Sequence, residues 1–396
     1  MKRVILLADM NSFFASCHQA VQPELQGKEV IVAGDPQKRT GIVLAASYPA
    51  KALGVKTGMG IWDARKLCPH AHYFRPDYPL YMELSSMILG IMRDITDQIE
   101  PFSIDEAFAD LTGVLHLWKT PEYIARALKE RIRLEVGVYC SVGIGPNKLI
   151  AKMAAGLQKP DGLTILETAE DFKRIFWPQP VRKLFGIGPK YEKHLRRYNI
   201  RTIEDLANFP LEILKKRWGK NGETLWSCAH ARDYSPVVPG SLDTSKSMGQ
   251  QRTLPRDLKG FKEIKVVMLE LSEMVARRVR QGGYLGRTVT LTLRDAQFCS
   301  LSRSRSMPYT NLADDIYHNV CLLLHRHWNE SWPVRLVGVS LDKLTRCGAI
   351  QYDIFGQKSR RLELALACDK IRDRFGEKAI TRGVSLMEVS VFGQQR

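Results

Sequence analysis

The chain begins with a continuous apolar run, Val4-Ile-Leu-Leu-Ala8, of strand length. Asn11-Ser12 then offers a helix start, and Phe13 to about Val21 continues with an amphipathic pattern. Val30 to Ala33 and Gly41 to Ala46 read as two more strands around a Gly34-Asp35-Pro36 turn. Ile61 to Leu67 reads as a short helix. From Pro79 to Ile99, the residues Leu80, Leu84, Met87, Ile88, Ile91 and Ile95 share one side of a long helical pattern. Glu100 to Leu111 holds two strand-like pieces around an acidic pair. Pro121 to Val136 predicts a helix with proline near its first turn, Val138 to Ile144 a strand, and Asn147 to Leu157 a helix. This interleaving predicts an α+β or α/β core.

Beyond about residue 167 the pattern turns all-helical, up to 233. Residues 234 to 243 carry two prolines and a glycine, the composition of a linker. A third globular piece runs from about 244 to 346. It shows strand alternation in Thr288–Arg294 and Val334–Leu341, with helices near 261–281 and 310–328. One more amphipathic helix is predicted near 359–375.

Length and charge narrow the class. The 396 residues exceed one ordinary core and predict two to four domains. Lysine and arginine number 59 against 42 acids, a net charge of +17 that favours a polyanionic partner such as nucleic acid, or an anionic membrane surface. The piece from 244 to 346 alone holds 17 Lys/Arg against 9 Asp/Glu. No run approaches the roughly 20 apolar residues of a membrane span, and no membrane is among the expected partners. Asp9 breaks the N-terminal apolar run too early for a signal peptide. Eight scattered cysteines, with no Cys-x-x-Cys, fit neither a zinc site nor a disulfide framework. A reducing cytoplasm is the expected location.

Candidate chemistry centres on acids. Burying a lone carboxylate costs several kcal/mol, so Asp9 at the end of an apolar strand needs a partner or a metal. Asp105 and Glu106 sit where two strands would meet in a hairpin. A strand-end Asp and an Asp-Glu hairpin tip on an adjacent strand could converge on Mg²⁺, which prefers hard oxygen ligands. On turn preferences alone, the Asp-Glu pair could equally be a solvated turn.

Three strings extend this reading. They are Ala8-Asp-Met-Asn-Ser-Phe-Phe-Ala-Ser16, Ser103-Ile-Asp-Glu-Ala107, and Ser141-Val-Gly-Ile-Gly-Pro-Asn-Lys148 through Ala151-Lys152 to Lys159-Pro-Asp-Gly162. In order and spacing they resemble the signatures of the Y-family translesion DNA polymerases, close to the bacterial DinB/UmuC-type members, including those of Gram-positive bacteria and their phages. The likeness covers about residues 1 to 346. It implies an α+β multidomain right-hand polymerase. The palm would take 1–18 and 78–166, small fingers 19–77, and a helical thumb 167–233. A linker (234–243), an α/β little finger (244–346) and a C-terminal tail (347–396) would follow.

The resemblance also implies roles. Asp9, Asp105, Glu106 and the Met10 carbonyl would bind two Mg²⁺ ions, with Mn²⁺ an alternative. Phe14 would be the steric gate against ribose, and Phe13 a core aromatic. Tyr48, Lys51 and Lys159 match triphosphate contacts, although many relatives carry arginine at the Lys51 position. Asn11 stands where many relatives have Asp, and Cys17-His18 replaces a more usual Val-Glu. His18 reads as a structural residue. The low fidelity of a polymerase with a small fingers region is expected.

DNA contacts complete the expectations. Gly186-Ile-Gly188, opening a basic helix at Lys190, resembles a helix-hairpin-helix that meets phosphates with backbone amides. Arg252, Arg287, Arg294, Arg303 and Arg305 are the candidate phosphate contacts of the little finger. Gln351-Tyr-Asp-Ile354-Phe355 resembles peptides that dock on the bacterial sliding clamp (its beta subunit), two apolar anchors with a glutamine setting register; a buried strand end is the alternative. Primer-template DNA, dNTP and the clamp are the expected partners of a monomer. Two rivals stand beside this reading: a nucleotide cyclase on a similar palm, and a non-catalytic, clamp-bound accessory protein.

Overall fold

The apolar run after Val4 forms the central strand of a five-stranded sheet, because both of its faces find apolar cover. A computed structural model describes residues 3–35, 41–241, 244–346 and 357–386. Most of the chain up to Asp243 forms one compact unit, and the chain from Thr244 onward belongs to a second.

The first unit starts with β1 (Ile5–Met10), α1 (Phe13–Val21), β2 (Val30–Ala33), β3 (Val43–Ala46), α2 (Tyr48–Ala52), α3 (Ile61–Leu67) and β4 (His72–Phe74). It continues with α4 (Tyr78–Arg93), β5 (Ile99–Pro101), β6 (Glu106–Asp110), α5 (Pro121–Val136), β7 (Cys140–Gly145), α6 (Lys148–Ala155) and β8 (Leu163–Ile165). Five helices close it: α7 (Ala169–Phe176), α8 (Pro189–Arg196), α9 (Ile203–Asn208), α10 (Leu211–Trp218) and α11 (Lys220–Ala229). The large sheet has the order β5-β6-β1-β7-β8, and a small sheet the order β3-β2-β4. One face of β1 packs through Leu6, Ala8 and Met10 into the core under α4 and α5. The other face buries Ile5 and Leu7 with Phe108, Ala151, Ala155 and Val237.

One expectation needs correction here, and two features lay beyond the sequence reading. The helix predicted over 79–99 ends at Arg93, and Ile99 joins β5 instead. Ile95 and Ile99 are both buried, so the apolar period continues while the backbone changes. Pairing of Ile99 with Ala109 decides the matter, since sheet contacts override local propensity. The short strands β4 and β8, too brief to show a period, are parallel additions to their sheets. Within the segment read as a linker, Pro236 to Val238 are held against the first unit. Val237 is 7% exposed, Lys148 Nζ donates to the Pro236 carbonyl at 3.0 Å, and Val238 N–H donates to Glu100 Oε2 at 2.9 Å.

The second unit holds β9 (Ser247–Leu258), α12 (Phe261–Gln281), β10 (Tyr284–Arg294), β11 (Ser300–Thr310), α13 (Ala313–His327), β12 (Val334–Asp342), β13 (Thr345–Arg346) and α14 (Gln357–Phe375). Its sheet runs β11-β10-β12-β9, entirely antiparallel, with α12 and α13 covering one face. The helix of the predicted tail, α14, belongs to this unit through charge. Arg280 forks onto Asp369 at 2.7 and 2.9 Å, and Arg372 meets Glu273 at 3.0 Å. Among the described residues, no helix is long and apolar enough to cross a membrane.

Packing of α6 on β7 requires glycine. A Cβ on Gly143 would stand 2.0 Å from the Ala151 carbonyl oxygen and 2.3 Å from Ala155 N. Backbone cannot yield as a side-chain end can. Gly143→Ala is therefore expected to destabilise the first unit by about 3 kcal/mol, the upper end for overpacking, read as a lowered thermal midpoint. An unchanged midpoint would contradict the close approach.

Candidate active site

Register, more than any single residue, creates the site. β1 and β6 pair antiparallel with Asp9 directly opposite Glu106, and on its other side Asp9 faces Ser141 of β7. Directly opposed residues on antiparallel strands project to the same face, with Cβ atoms about 5 Å apart. Asp105 precedes Glu106 in the bend, and its carbonyl accepts from Met10 N at 2.8 Å. Ser103 Oγ donates to Asp105 Oδ1 at 2.5 Å. Asp9 and the adjacent pair Asp105-Glu106, about a hundred residues apart along the chain, thus line one cleft.

Two lysines answer their charge. Lys159 Nζ lies 2.5 Å from Asp9 Oδ1, and Lys152 Nζ lies 2.5 Å from Glu106 Oε2. Among the described residues, no trio of His, Cys, Asp or Glu is drawn together closely enough to chelate an ion unaided. The donor set still suits a hard divalent cation. Opposed like charges repel, and carboxylate oxygens lining one cleft, with room left for water and phosphate, are what magnesium takes.

Around the acids lies a cleft of about 520 Å³ lined also by Met10, Phe14, Tyr48, Lys51 and Lys159. Phe13 is 3% exposed and belongs to the core. Phe14 lines the cleft and stacks on Tyr81 with centroids 4.2 Å apart and planes 9° apart, which fixes its ring. Ser12 adopts the left-handed conformation (φ 50°) just before α1. Such strain in a non-glycine residue marks a position held by its surroundings. Its Oγ accepts from Lys51 Nζ at 2.6 Å, and that ammonium also lies 4.5 Å from the Tyr48 ring centroid. Partial desolvation in the cleft, then Lys159, hold the Lys51 ammonium below the usual lysine range, against the pull of Asp9. The Tyr48 hydroxyl is pushed up, by desolvation first and by Asp9 second.

The positioning contacts around the cleft had no sequence signal, and nothing along the chain marks Lys129. Asn11 is 3% exposed and donates to Ser141 Oγ at 3.0 Å, while its Oδ1 accepts from Asp161 N at 2.7 Å. Lys129 Nζ donates to the Asp161 and Cys140 carbonyls at 2.6 and 2.8 Å. Together they pin the loop that carries Lys159. An amide side chain donates and accepts at once, which explains asparagine at position 11. Cys17 is fully buried, and burial, aided by Asp105, pushes its thiol up to about 12, so it stays neutral. His18 meets the Tyr81 hydroxyl at 2.9 Å and stacks on Phe74, a structural role as expected. The seven cysteines among the described residues are free.

Farther along the first unit, Gly186 (φ 92°) makes the turn only glycine adopts easily, Ile187 plugs it into the core, and Gly188 caps α8 with Lys190 exposed. In the second unit the predicted arginines separate. Arg303 and Arg305 oppose Leu291 and Val289, so they share the helix-covered side but lie exposed on the edge strand β11. Arg294 lies on the open side with Thr290, Thr292, Ser302 and Ser304. Arg287 is exposed beside the Tyr309 ring. Arg252 is half-buried, opposite Val337 on the covered side and within the field of Glu270. Gln351, Ile354 and Phe355 lie outside the described residues.

Residues 8–156 match the impB/mucB/samB family, and residues 245–354 match the C-terminal domain of that family. A "DNA polymerase IV" of Moorella thermoacetica is 56% identical, covering 98% of this chain and 97% of its own. A "DNA polymerase IV 2" of Bacillus subtilis is 44% identical, covering 97% and 95%. A solved Y-family DNA polymerase chimera superposes with a TM-score of 0.76 at 26% identity, covering 87% of this chain and 100% of that one. The chain belongs to the Y-family of DNA polymerases. Members of the Y-family are divalent-metal dependent as a rule, in keeping with the acidic donor set. Neither the cyclase nor the accessory reading finds support among these Y-family likenesses.

A lysine with a lowered pKa presents more free amine at a given pH. At pH 8, Lys51 is therefore expected to react with an amine-directed reagent ahead of other exposed lysines. Lys159→Met, which removes a neighbouring positive charge, should slow that reaction. Peptide mass spectrometry reads both outcomes; equal labelling of Lys51 and the surface lysines would refute the first.

Proposed function

We propose that this chain extends a DNA primer by template-directed nucleotidyl transfer from dNTP, and does so past damaged bases. It is a DNA-directed DNA polymerase of the translesion kind, with DNA and dNTP as substrates. The observation that carries the site assignment is the β1–β6 register, which sets Asp9 opposite Glu106 with Asp105 beside them.

Asp9, Asp105, Glu106 and the Met10 carbonyl would hold two Mg²⁺ ions, or Mn²⁺ in their place. Bound there, the ions supply polarisation of the primer 3′-hydroxyl and a counter-charge for the triphosphate. The remaining work falls to side chains. Lys159 and Lys51 present point charges to phosphate oxygens, and Tyr48 offers its hydroxyl. Asn11 and Lys129 hold the Lys159 loop at the cleft. Phe14, its ring held by Tyr81, would lie beneath the sugar and leave no space for a 2′-hydroxyl.

Palm, fingers, thumb and little finger, with the boundaries expected from the sequence, are the domain reading adopted. Gly186, Gly188 and Lys190 would grip backbone phosphate without reading sequence. Arg287, Arg294, Arg303 and Arg305 would do so from the second unit, with Arg252 the weakest candidate because it is half-buried. Gln351, Ile354 and Phe355 would dock on the sliding clamp and raise the local concentration of a weak DNA binder. A cytoplasmic monomer of low fidelity completes the reading.

Three measurements test it. Asp105→Ala with Glu106→Ala should lower primer extension by about a thousandfold or more while DNA binding survives; intact extension would remove the site assignment. Phe14→Ala should admit ribonucleotides in single-nucleotide incorporation, and undiminished ribose exclusion would refute the gate. Alanine at Gln351, Ile354 and Phe355 together should abolish stimulation by added clamp; stimulation equal to wild type would end the docking proposal.

A further inference from the structure

Lys152 belongs to the third family-like string. It lies on α6 and lines the same cleft as Asp9, Asp105 and Glu106. Its ammonium pairs with Glu106 at 2.5 Å, the side chains being 18% and 13% exposed. The same nitrogen lies 4.9 Å from the Phe102 ring centroid and 5.1 Å from that of Phe185. The two rings meet edge to face at 6.2 Å. They are 44% and 43% exposed, so core packing does not account for their arrangement around the ammonium.

Lys152 therefore has two partners of different kinds. The Glu106 carboxylate is one that a divalent cation would also take. The aromatic faces attract an ammonium through their quadrupole and compete for nothing else in the cleft. Without a cation, Asp9 and Glu106 oppose each other as like charges, and Lys152 relieves that repulsion. Helix α6 is held by backbone contact at Gly143, so only the flexible end of the lysine is free to move.

We propose that Lys152 is the resident counter-cation of Glu106. It holds the carboxylate in place until a divalent cation arrives, then yields it and stays in the cleft between Phe102 and Phe185. Lys152 is a positioning residue in this scheme. The inference rests on Glu106 being a metal ligand, as proposed above.

Mn²⁺ binding to the full chain, without DNA or nucleotide, tests it through the paramagnetic resonance signal of free Mn²⁺. Lys152→Met removes a competitor and should tighten Mn²⁺ binding about fivefold, the scale of one partly screened ion pair. Lys152→Arg keeps the charge and should bind as wild type does. Phe102→Leu with Phe185→Leu removes the refuge and should weaken binding by a similar factor. A lysine of merely structural value would instead weaken binding when removed. Unchanged or weaker Mn²⁺ affinity in Lys152→Met, with a native circular dichroism melt, overturns the proposal. If that variant does not fold, the ring variant decides, and unchanged affinity there overturns it. The Asp105→Ala, Glu106→Ala variant separates the two readings: wild-type Mn²⁺ affinity in it removes the ligand assignment itself, whereas lost affinity in it alongside an unmoved Lys152→Met sinks the counter-cation alone.

Discussion

Two carboxylates facing each other across paired strands repel, and the architecture of the first unit is organised around that repulsion. The register of β1 and β6 leaves Asp9 and Glu106 no separate places. A cation must stand near both for the strands to remain paired there without cost. Lys159 and Lys152 supply that charge, the first from the loop after α6 and the second from α6 itself. The same demand makes the site receptive to magnesium. Electrostatic discomfort in the free protein becomes affinity for the ion and for the phosphates that accompany it.

Holding two lysines at that spot takes a rigid scaffold. Helix α6 lies so close to β7 that glycine is required at Gly143. The loop bearing Lys159 is pinned by Asn11 and Lys129 through backbone groups. Ser12 accepts a left-handed backbone beside the acids, and its hydroxyl in turn places Lys51. Local rules are broken where chemistry is performed, and the surrounding packing over-determines the result.

The second unit solves a different problem. Its open sheet side carries hydroxyls, and exposed arginines stand on its edge strand. Such a surface suits a polyanion met along its backbone, with no single residue dominating. Behind the sheet, α14 is fastened by arginine–carboxylate forks that are largely out of water: Arg280 is 5% exposed and Asp369 8%. Buried pairs of this sort add little net stability, yet breaking one partner is costly. They therefore specify where the helix sits more than how tightly.

Much of this was legible along the chain. The strand-length apolar run, the helices from Pro121 and Ile61, and the acidic pair at a hairpin follow from period and turn chemistry, which are local properties. Motif strings identified the family, because spacing between chemical groups survives in sequence. Elsewhere local information was insufficient. Ile95 and Ile99 keep a helical period that strand pairing overrides, and β4 and β8 are too short to have one. The docking of Pro236 to Val238 depends on an ion pair between Glu100 and Lys148, which are distant in sequence. The sequence alone determined which residues carry charge and which carry oil. Only the tertiary structure decided that Asp9 faces Glu106, that Lys152 joins them between two rings, and that α14 is held by charge, because each of these is a meeting between segments that no local interaction brings together.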